Sequence, residues 1–344
     1  MIRIRPYRPE DEPALQRLAA RPMPGWVRLR YAYINGYAAG EGLKGDRIEI
    51  LVGEDREHTG ILACGTRSSR CLWFNGQPQR IGYLSGLRNL PDARNGFCLA
   101  RGYRLLRQRM IEQPLPCTYT TILADNRNAQ VLLTSGRAGL PRYTPHGKVI
   151  TWAIAGRGGN AERDEIPSDA LREFYARESP RRQLFPVFEA GFHPSLTQND
   201  FIAVYRHGRI VAAGALWRHG DYRRLFIDGY RNPLVAVARI PLNGWARWTG
   251  RSILPRSGAE LRCVYLAYAL AENDDPALFS ELVAMAASRT GGDNLVLALH
   301  DSDPLCRILE HRAAWRYESA FMTVSYDEPA RQLNGVPHIE AGAL

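Results

Sequence analysis

The chain has 344 residues, 45% of them apolar and 23% charged, with a formal net charge of +10. That length fits two domains, and the balance is that of a globular protein, which excludes a disordered or fibrous chain. No run of about 18 apolar residues occurs, which excludes a membrane-spanning helix. The opening Met1-Ile2-Arg3-Ile4-Arg5 lacks the apolar centre of an export signal, and the six cysteines (64, 71, 98, 117, 263 and 306) include no Cys-x-x-Cys pair. The expectation is a cytoplasmic protein with free thiols and no metal site. Residues 1–155 carry 23 Lys and Arg against 12 Asp and Glu, a net of +11, while the remainder has 22 against 23, a net of −1. A basic first half attracts a polyanion. Nucleic acid ranks low among polyanions here, since the arginines are dispersed and no motif interleaves them with aromatics.

Taken in order, Ile2-Arg3-Ile4-Arg5 alternates as a strand does. Pro9-Glu10-Asp11-Glu12 opens a helix with Leu15, Leu18 and Ala19 on one face, and Pro22 and Pro24-Gly25 end it. Trp26, Leu29, Tyr31, Tyr33 and Ile34 read as an aromatic helix. Residues 48–52 and 60–65 form an antiparallel hairpin, and 71–74 and 81–84 flank Asn75-Gly76, a two-residue turn. The last of these strands runs on to Leu90. A helix over 96–112, a β-branched strand over 119–123 and a helix capped by Asp125 to Ala129 follow. Residues 149–154 are the final strand of this half.

Between the strand ending at Leu90 and the helix over 96–112 lies a tight polar turn. A helix that starts there leaves backbone N–H groups unpaired, and these donors, with the helix dipole, suit a phosphate or pyrophosphate. Pro91, Arg94 and Gly96, with Ala100 at a small position, make this turn resemble the acyl-CoA-binding segment of the GNAT superfamily of N-acetyltransferases. Asn126 followed by Ala129 resembles a second GNAT feature, the turn into the helix over the cofactor. Two departures stand out. Cys98 occupies a position usually held by a second glycine-like residue, and residues 131–135 contain no Tyr to protonate the leaving thiolate.

The resemblance implies an α/β fold with a mixed sheet and acetyl-CoA or a longer acyl-CoA as co-substrate. By the same resemblance Leu87, Arg88 and Asn89 on the strand contact the cofactor. So do Arg94, Asn95, Gly96, Phe97, Cys98, Leu99 and Ala100 on the turn, and Asn126 and Asn128 at the second helix. The implied activity is N-acyl transfer to a primary amine, on a small molecule or a peptide, by direct attack. Acetyl is the default acyl group, while the bulk of Phe97, Cys98 and Leu99 fits a longer chain or a donor held on an acidic acyl carrier protein. A GNAT-like module that binds acyl-CoA without turnover is the alternative. In the family the segment around Trp26 to Ile34 walls the acceptor site; here it either does so or packs the core.

Acyl transfer needs a group to take the amine proton and one to supply the thiolate. Tyr83 and Ser85 share one strand face by alternation and either line the acceptor site or pack in the sheet. Ser135 either replaces the missing Tyr or caps its helix. His300 ends a strand beside Asp303, where α/β sheets open to ligands, and the two form either a catalytic pair or a capping contact.

Residues 156–164 are glycine-rich and charged and read as a linker. Beyond them come a capped helix at 168–174, a hairpin of 201–205 and 210–217 across His207-Gly208, and strands at 224–230 and 261–268. A helix over 276–288, a strand over 295–300, a helix opened by Asp303-Pro304 and a strand over 321–326 complete the series. The order of the first half thus recurs, giving two GNAT-like domains in tandem, 1–155 and 165–328, as in bacterial tandem GNAT proteins. Residues 329–344 read as a loosely held polar tail. In the second domain Glu272, Asp274 and Asp275 stand where phosphates would sit, so the donor is expected in the first domain alone.

Overall fold

The computed structural model describes residues 2–55, 60–90, 95–137, 139–158, 165–188, 191–248, 253, 255–310, 315–326 and 331–344; at 95–97, 233, 236, 237 and 245–247 it describes the backbone alone. The first half runs β1 (Ile2–Pro6), α1 (Glu12–Ala19), β2 (Val27–Tyr33), α2 (Tyr37–Glu41), β3 (Arg47–Asp55), β4 (Gly60–Phe74) and β5 (Gln77–Asn89). It continues through α3 (Asn95–Glu112), β6 (Thr118–Leu123), α4 (Arg127–Leu133) and β7 (Arg142–Ile154). The second half runs α5 (Ser168–Glu178), β8 (Phe201–Arg206), β9 (Arg209–Arg218), β10 (Arg223–Tyr230), α6 (Pro233–Trp248) and β11 (Cys263–Ala271). It ends with α7 (Pro276–Ser288), β12 (Asn294–His300), α8 (Cys306–Glu310) and β13 (Trp315–Ser325).

Eleven of the described strands form one mixed sheet in the order β1-β3-β4-β5-β6-β13-β7-β12-β11-β9-β8. Each half supplies one parallel pair, β5 with β6 and β11 with β12. At the centre the halves exchange their last strands. β13 lies against β6, with Ser319 opposite Leu123 and Thr323 opposite Tyr119, while β7 lies against β12, with Leu295 opposite Ile154. The architecture is two halves merged into one mixed α/β sheet.

Alternation along the strands divides the core between two faces. Tyr83, Tyr119 and Phe321 point to one face and join Trp217, Tyr265, Phe185 and α5 in a cluster common to both halves. Their neighbours Leu84, Ile122 and Met322 point to the other face, under Tyr103 and Leu106 of α3 and Leu133 of α4. In the second half that other face is covered by Phe279 and Leu282 of α7 and Leu309 of α8. All six cysteines are free thiols. No helix among the described residues is long and apolar enough to cross a membrane.

Several elements differ from the sequence expectation. The aromatic segment after Trp26 is a strand: Arg28 and Arg30 alternate with Leu29 and Tyr31, and β2 pairs antiparallel with β10, some 190 residues on, in a separate two-stranded sheet. That pairing also takes β10 out of the main sheet. α5 starts after Pro167 without a side-chain cap. Of the linker only 156–158 lie within the described residues, and the Arg157 amide donates to the Ala287 carbonyl at 2.8 Å. The chain end is not loosely held. Residues 337–343 are buried, Ile339, Ala341 and Ala343 join the shared core, and the His338 ring bonds to Glu340 at 2.8 Å. Its polar residues are paired with one another, so the segment packs as an apolar one.

Because β13 sits between β6 and β7, the halves should unfold together. Phe321→Ala, which empties a fully buried ring site, is expected to cost about 3–5 kcal/mol in a single urea transition; two separated transitions in the parent protein would contradict the merged sheet.

Candidate functional site

The parallel ladder between β5 and β6 lasts three residues, Gly82 opposite Thr118, Tyr83 opposite Tyr119 and Leu84 opposite Thr120. Beyond Leu84, β5 stays with β4 and β6 with β13, so the sheet is unladdered between them. At the same point β5 bulges. Thr66 pairs with Ser85 and Cys64 with Arg88, leaving Gly86 and Leu87 opposite Gly65 alone. Gly86 has φ +63°, and a Cβ there would lie 3.0 Å from the Tyr37 hydroxyl, 3.1 Å from Glu41 Oε2 and 3.2 Å from Thr66 Oγ1. Only glycine suits both the backbone and the space.

Against this bulge lies a buried polar cluster that sequence reasoning missed. Glu41, fully buried at the end of α2, accepts from Lys44 Nζ at 2.7 and 2.9 Å and from the Tyr33 hydroxyl at 3.3 Å. Burial opposes the charge on Glu41, but Lys44 outweighs it and holds the carboxyl below its ordinary range. On Lys44 burial is the largest influence, and it draws the ammonium below its usual value despite Glu41. Burial drives the neighbouring groups toward their neutral forms: the Cys64 thiol is pushed up to about 11, the Tyr83 phenol to about 12, and Tyr33 and Tyr37 well above their usual value. Glu41 is thus the anion of this cluster. Nothing in the local pattern of 37–44 marks Glu41 or Lys44 as buried; the clue is that Lys44 is one of two lysines in a chain of 43 arginines.

The second half borders the same cluster. Arg223 is buried, its guanidinium lies 4.6 Å over the Tyr31 ring, and it donates to the carbonyls of Gly342 at 2.8 Å and Leu344 at 3.0 Å. His219 is buried with neither ring nitrogen hydrogen-bonded, stacked 4.4 Å from Tyr265 and edge-on to Trp217 at 4.7 Å. Burial, with Arg223 nearby, holds it well below its usual pKa and therefore neutral.

Of the residues expected to do chemistry, Tyr83 stands at the mouth of the gap. Its hydroxyl reaches Thr121 Oγ1 on β6 at 3.1 Å and its ring stacks on Tyr119 at 4.8 Å. Ser85 follows on the same face with its Oγ buried and unpartnered. Ser135 is exposed and donates to the Leu132 carbonyl at 2.7 Å, a helix-end contact. His300 does not pair with Asp303. Its Nδ1 meets Ser302 Oγ at 2.8 Å and its Nε2 the His146 carbonyl at 2.6 Å, while the Asp303 carboxylate takes Arg182 and the Leu305 amide. The helix-capping contact is what Asp303 makes, because a buried arginine claims the rest of it.

Among the expected cofactor contacts, Arg94 lies outside the described residues, and of Asn95, Gly96 and Phe97 the backbone alone is described, as the first residues of α3. Cys98 faces the sheet: a Cβ on Gly53 would lie 2.4 Å from its sulfur. Leu99 packs in the cluster under α3, and Ala100 is exposed. On β5, Leu87 and Asn89 are exposed, and Arg88 donates to the Arg21 carbonyl at 2.9 Å. Asn126 accepts from the Ala129 amide at 3.2 Å and so caps α4, and Asn128 is exposed. α4 carries no Tyr; the Tyr103 hydroxyl of α3 and the Tyr143 hydroxyl of β7 stand 2.6 Å apart. Both phenols are raised by burial, Tyr103 to about 12.

The corresponding places in the second half are filled by the chain itself. β11 bulges at Tyr268, φ +53°, whose amide donates to Glu340 at 2.9 Å. The first amides of α7, those of Ala277 and Leu278, donate to Asp275 at 2.7 and 3.1 Å. Arg182 links Asp274 to Asp303 alongside.

No protein-family profile and no curated protein sequence matches the chain. Solved structures do. A probable N-acyltransferase from Enterococcus faecalis is similar with a TM-score of 0.46 at 9% identity, over 94% of this chain and 72% of that one. Saccharomyces cerevisiae N-myristoyltransferase with bound myristoyl-CoA is similar with a TM-score of 0.49 at 12% identity, over 95% and 88%. A GCN5-related N-acetyltransferase from Anabaena variabilis gives 0.49 at 12%, over 94% and 72%.

Gly86→Ala should cost about 1–3 kcal/mol, from the positive φ and the crowding, read by denaturant unfolding. Lys44→Met should cost about 3–5 kcal/mol at neutral pH, since it leaves the Glu41 carboxylate buried and unpaired. The pair also carries a pH signature. Glu41 is lowered in the folded state, so its contribution is complete above the unfolded value of about 4.3 and is lost as pH falls through the folded value. Acidification should therefore narrow the stability gap between parent and Lys44→Met.

Proposed function

We propose that the chain is an N-acyltransferase that moves an acyl group from acyl-CoA to a primary amine, with the donor in the first half and the acceptor between the halves. The observations that carry this reading are the end of the β5–β6 ladder at Leu84 and the bulge at Gly86 just beyond it, on the strand that leads into the long helix α3. Amides at the start of α3 take the pyrophosphate. The unladdered edge of β5 takes the amide-bearing arm of the carrier, and the amides freed by the bulge face the thioester oxygen, where charge develops.

The amine approaches from the α2 face. Its nitrogen attacks the thioester carbon, the C–N bond forms and the C–S bond breaks. Glu41, kept ionised by Lys44, accepts the proton of the attacking nitrogen, and the Tyr103–Tyr143 pair on the opposite face supplies the proton to the thiolate. Tyr83 and Ser85 position the acceptor beside the gap. The carboxylates at the second bulge and at the start of α7 leave no room for a second donor, so one acyl-CoA binds per chain. A donor held on an acidic carrier protein is the second reading, favoured by the net +11 of residues 1–155 against −1 for the rest.

Acyl-CoAs of increasing length, offered with a panel of amines, should release free thiol, and calorimetric titration should give one CoA per chain. Glu41→Gln should lower kcat by about 10²–10⁴-fold while leaving CoA affinity unchanged. CoA binding without thiol release for any pair would favour a binding module, and no CoA binding at all would reject the donor site.

A further inference from the structure

The helix α6 has no counterpart in the sequence reading and takes no part in the site described above. It opens at Asn232-Pro233, with Asn232 Oδ1 accepting from the Leu234 amide at 2.9 Å, and is anchored by Val235 against Val27, Ile227, Tyr230 and Trp315. Its outer side is apolar and bare. Leu234 is 71% exposed, Ile240 72%, Leu242 45% and Trp248 86%. Leu234, Ala238, Pro241 and Trp248 recur at spacings of four, three and seven, which puts them in one stripe along the helix. Beside the start of the helix Trp26, whose carbonyl accepts from the Arg231 amide at 2.9 Å, is 38% exposed, and Ile253, beyond its end in sequence, is 40% exposed.

Along the segment that carries this stripe, between Asp228 and Glu260, the charge has one sign. Residues 229–259 contain five arginines and no Asp, Glu or Lys, and Arg231 and Arg256, both exposed, flank the helix. At 16 residues α6 is too short to cross a bilayer. A cationic helix with Trp and aliphatic residues on one side lies instead in the lipid–water interface, with its apolar stripe among the acyl chains and its arginines at anionic headgroups.

We propose that α6 docks the protein on the surface of an anionic phospholipid bilayer. A second copy of the chain fits less well, because a symmetric contact would bring the exposed Arg231 and Arg256 of both copies toward one another. Nucleic acid fits less well too, since Leu234, Ala238 and Pro241 offer its phosphates and bases no side-chain hydrogen bond. The proposal is independent of acyl transfer, and its test does not use catalysis.

The full chain would be sedimented with vesicles of phosphatidylcholine, alone and mixed with phosphatidylglycerol. Binding is expected to the mixed vesicles, several-fold above the neutral ones, and to weaken with added salt. The double variant Leu234→Ser/Trp248→Ser should reduce binding at least about tenfold, as loss of two inserted apolar side chains requires. Ile111→Ser, which removes an exposed apolar residue of α3, should change nothing. Arg231→Gln/Arg256→Gln should reduce the preference for the anionic mixture. All of these residues are exposed, and an unchanged thermal transition would show that the variants fold. Equal binding to both vesicle types, no binding to either, or an equal loss with Ile111→Ser would overturn the proposal. It would also be overturned if the double variant altered self-association or retention on nucleic acid and left vesicle binding intact.

Discussion

A backbone ladder between β13 and β6, strands separated by nearly two hundred residues, ties the two halves into one sheet. Strand ladders tolerate little displacement, because a slip of one residue turns every side chain to the opposite face. With Phe321 and Met322 of β13 committed to opposite cores, the register is set from both sides. The merged sheet is what brings β10, the loop at His219 and the buried chain end over the first half. Without the exchange, Arg223 would not lie on Tyr31, and the polar cluster around Glu41 would have no second wall.

That cluster is costly to build. A carboxylate and an ammonium removed from water lose several kcal/mol each, and their attraction restores this only when the geometry is good and other donors complete the shell. Here Lys44 makes two short contacts and Tyr33 adds a third. A hydrophobic replacement of the pair would be at least as stable, so stability alone does not account for it. Its position is distinctive: the carboxylate abuts Gly86, the glycine at which β5 bulges from β4.

The two halves have treated the same backbone device in opposite ways. Both carry a parallel pair that stops after three residues and a bulge with positive φ on the longer strand. In the second half Glu340 takes the bulge amide and Asp275 takes the first amides of the following helix, so its donors are used within the chain. A carboxylate at each of these points satisfies backbone donors and places negative charge beside them.

What the sequence determined by itself is what short-range physics controls. Asn75-Gly76 and His207-Gly208 set their hairpins through left-handed turn residues, Asn126 caps its helix three residues on, and alternation placed Tyr83 and Ser85 on one face. Each of these depends on neighbours within a few residues. The tertiary structure alone decided that residues 27–33 are a strand, because their partner β10 is distant in sequence and supplies the ladder that aromatic periodicity left open. It likewise decided that Glu41 and Lys44 are buried together, that Asp303 serves Arg182 and not His300, and that the chain end is packed. These outcomes turn on which groups lose water, and that follows from the whole sheet closing over them, not from any local pattern of residues.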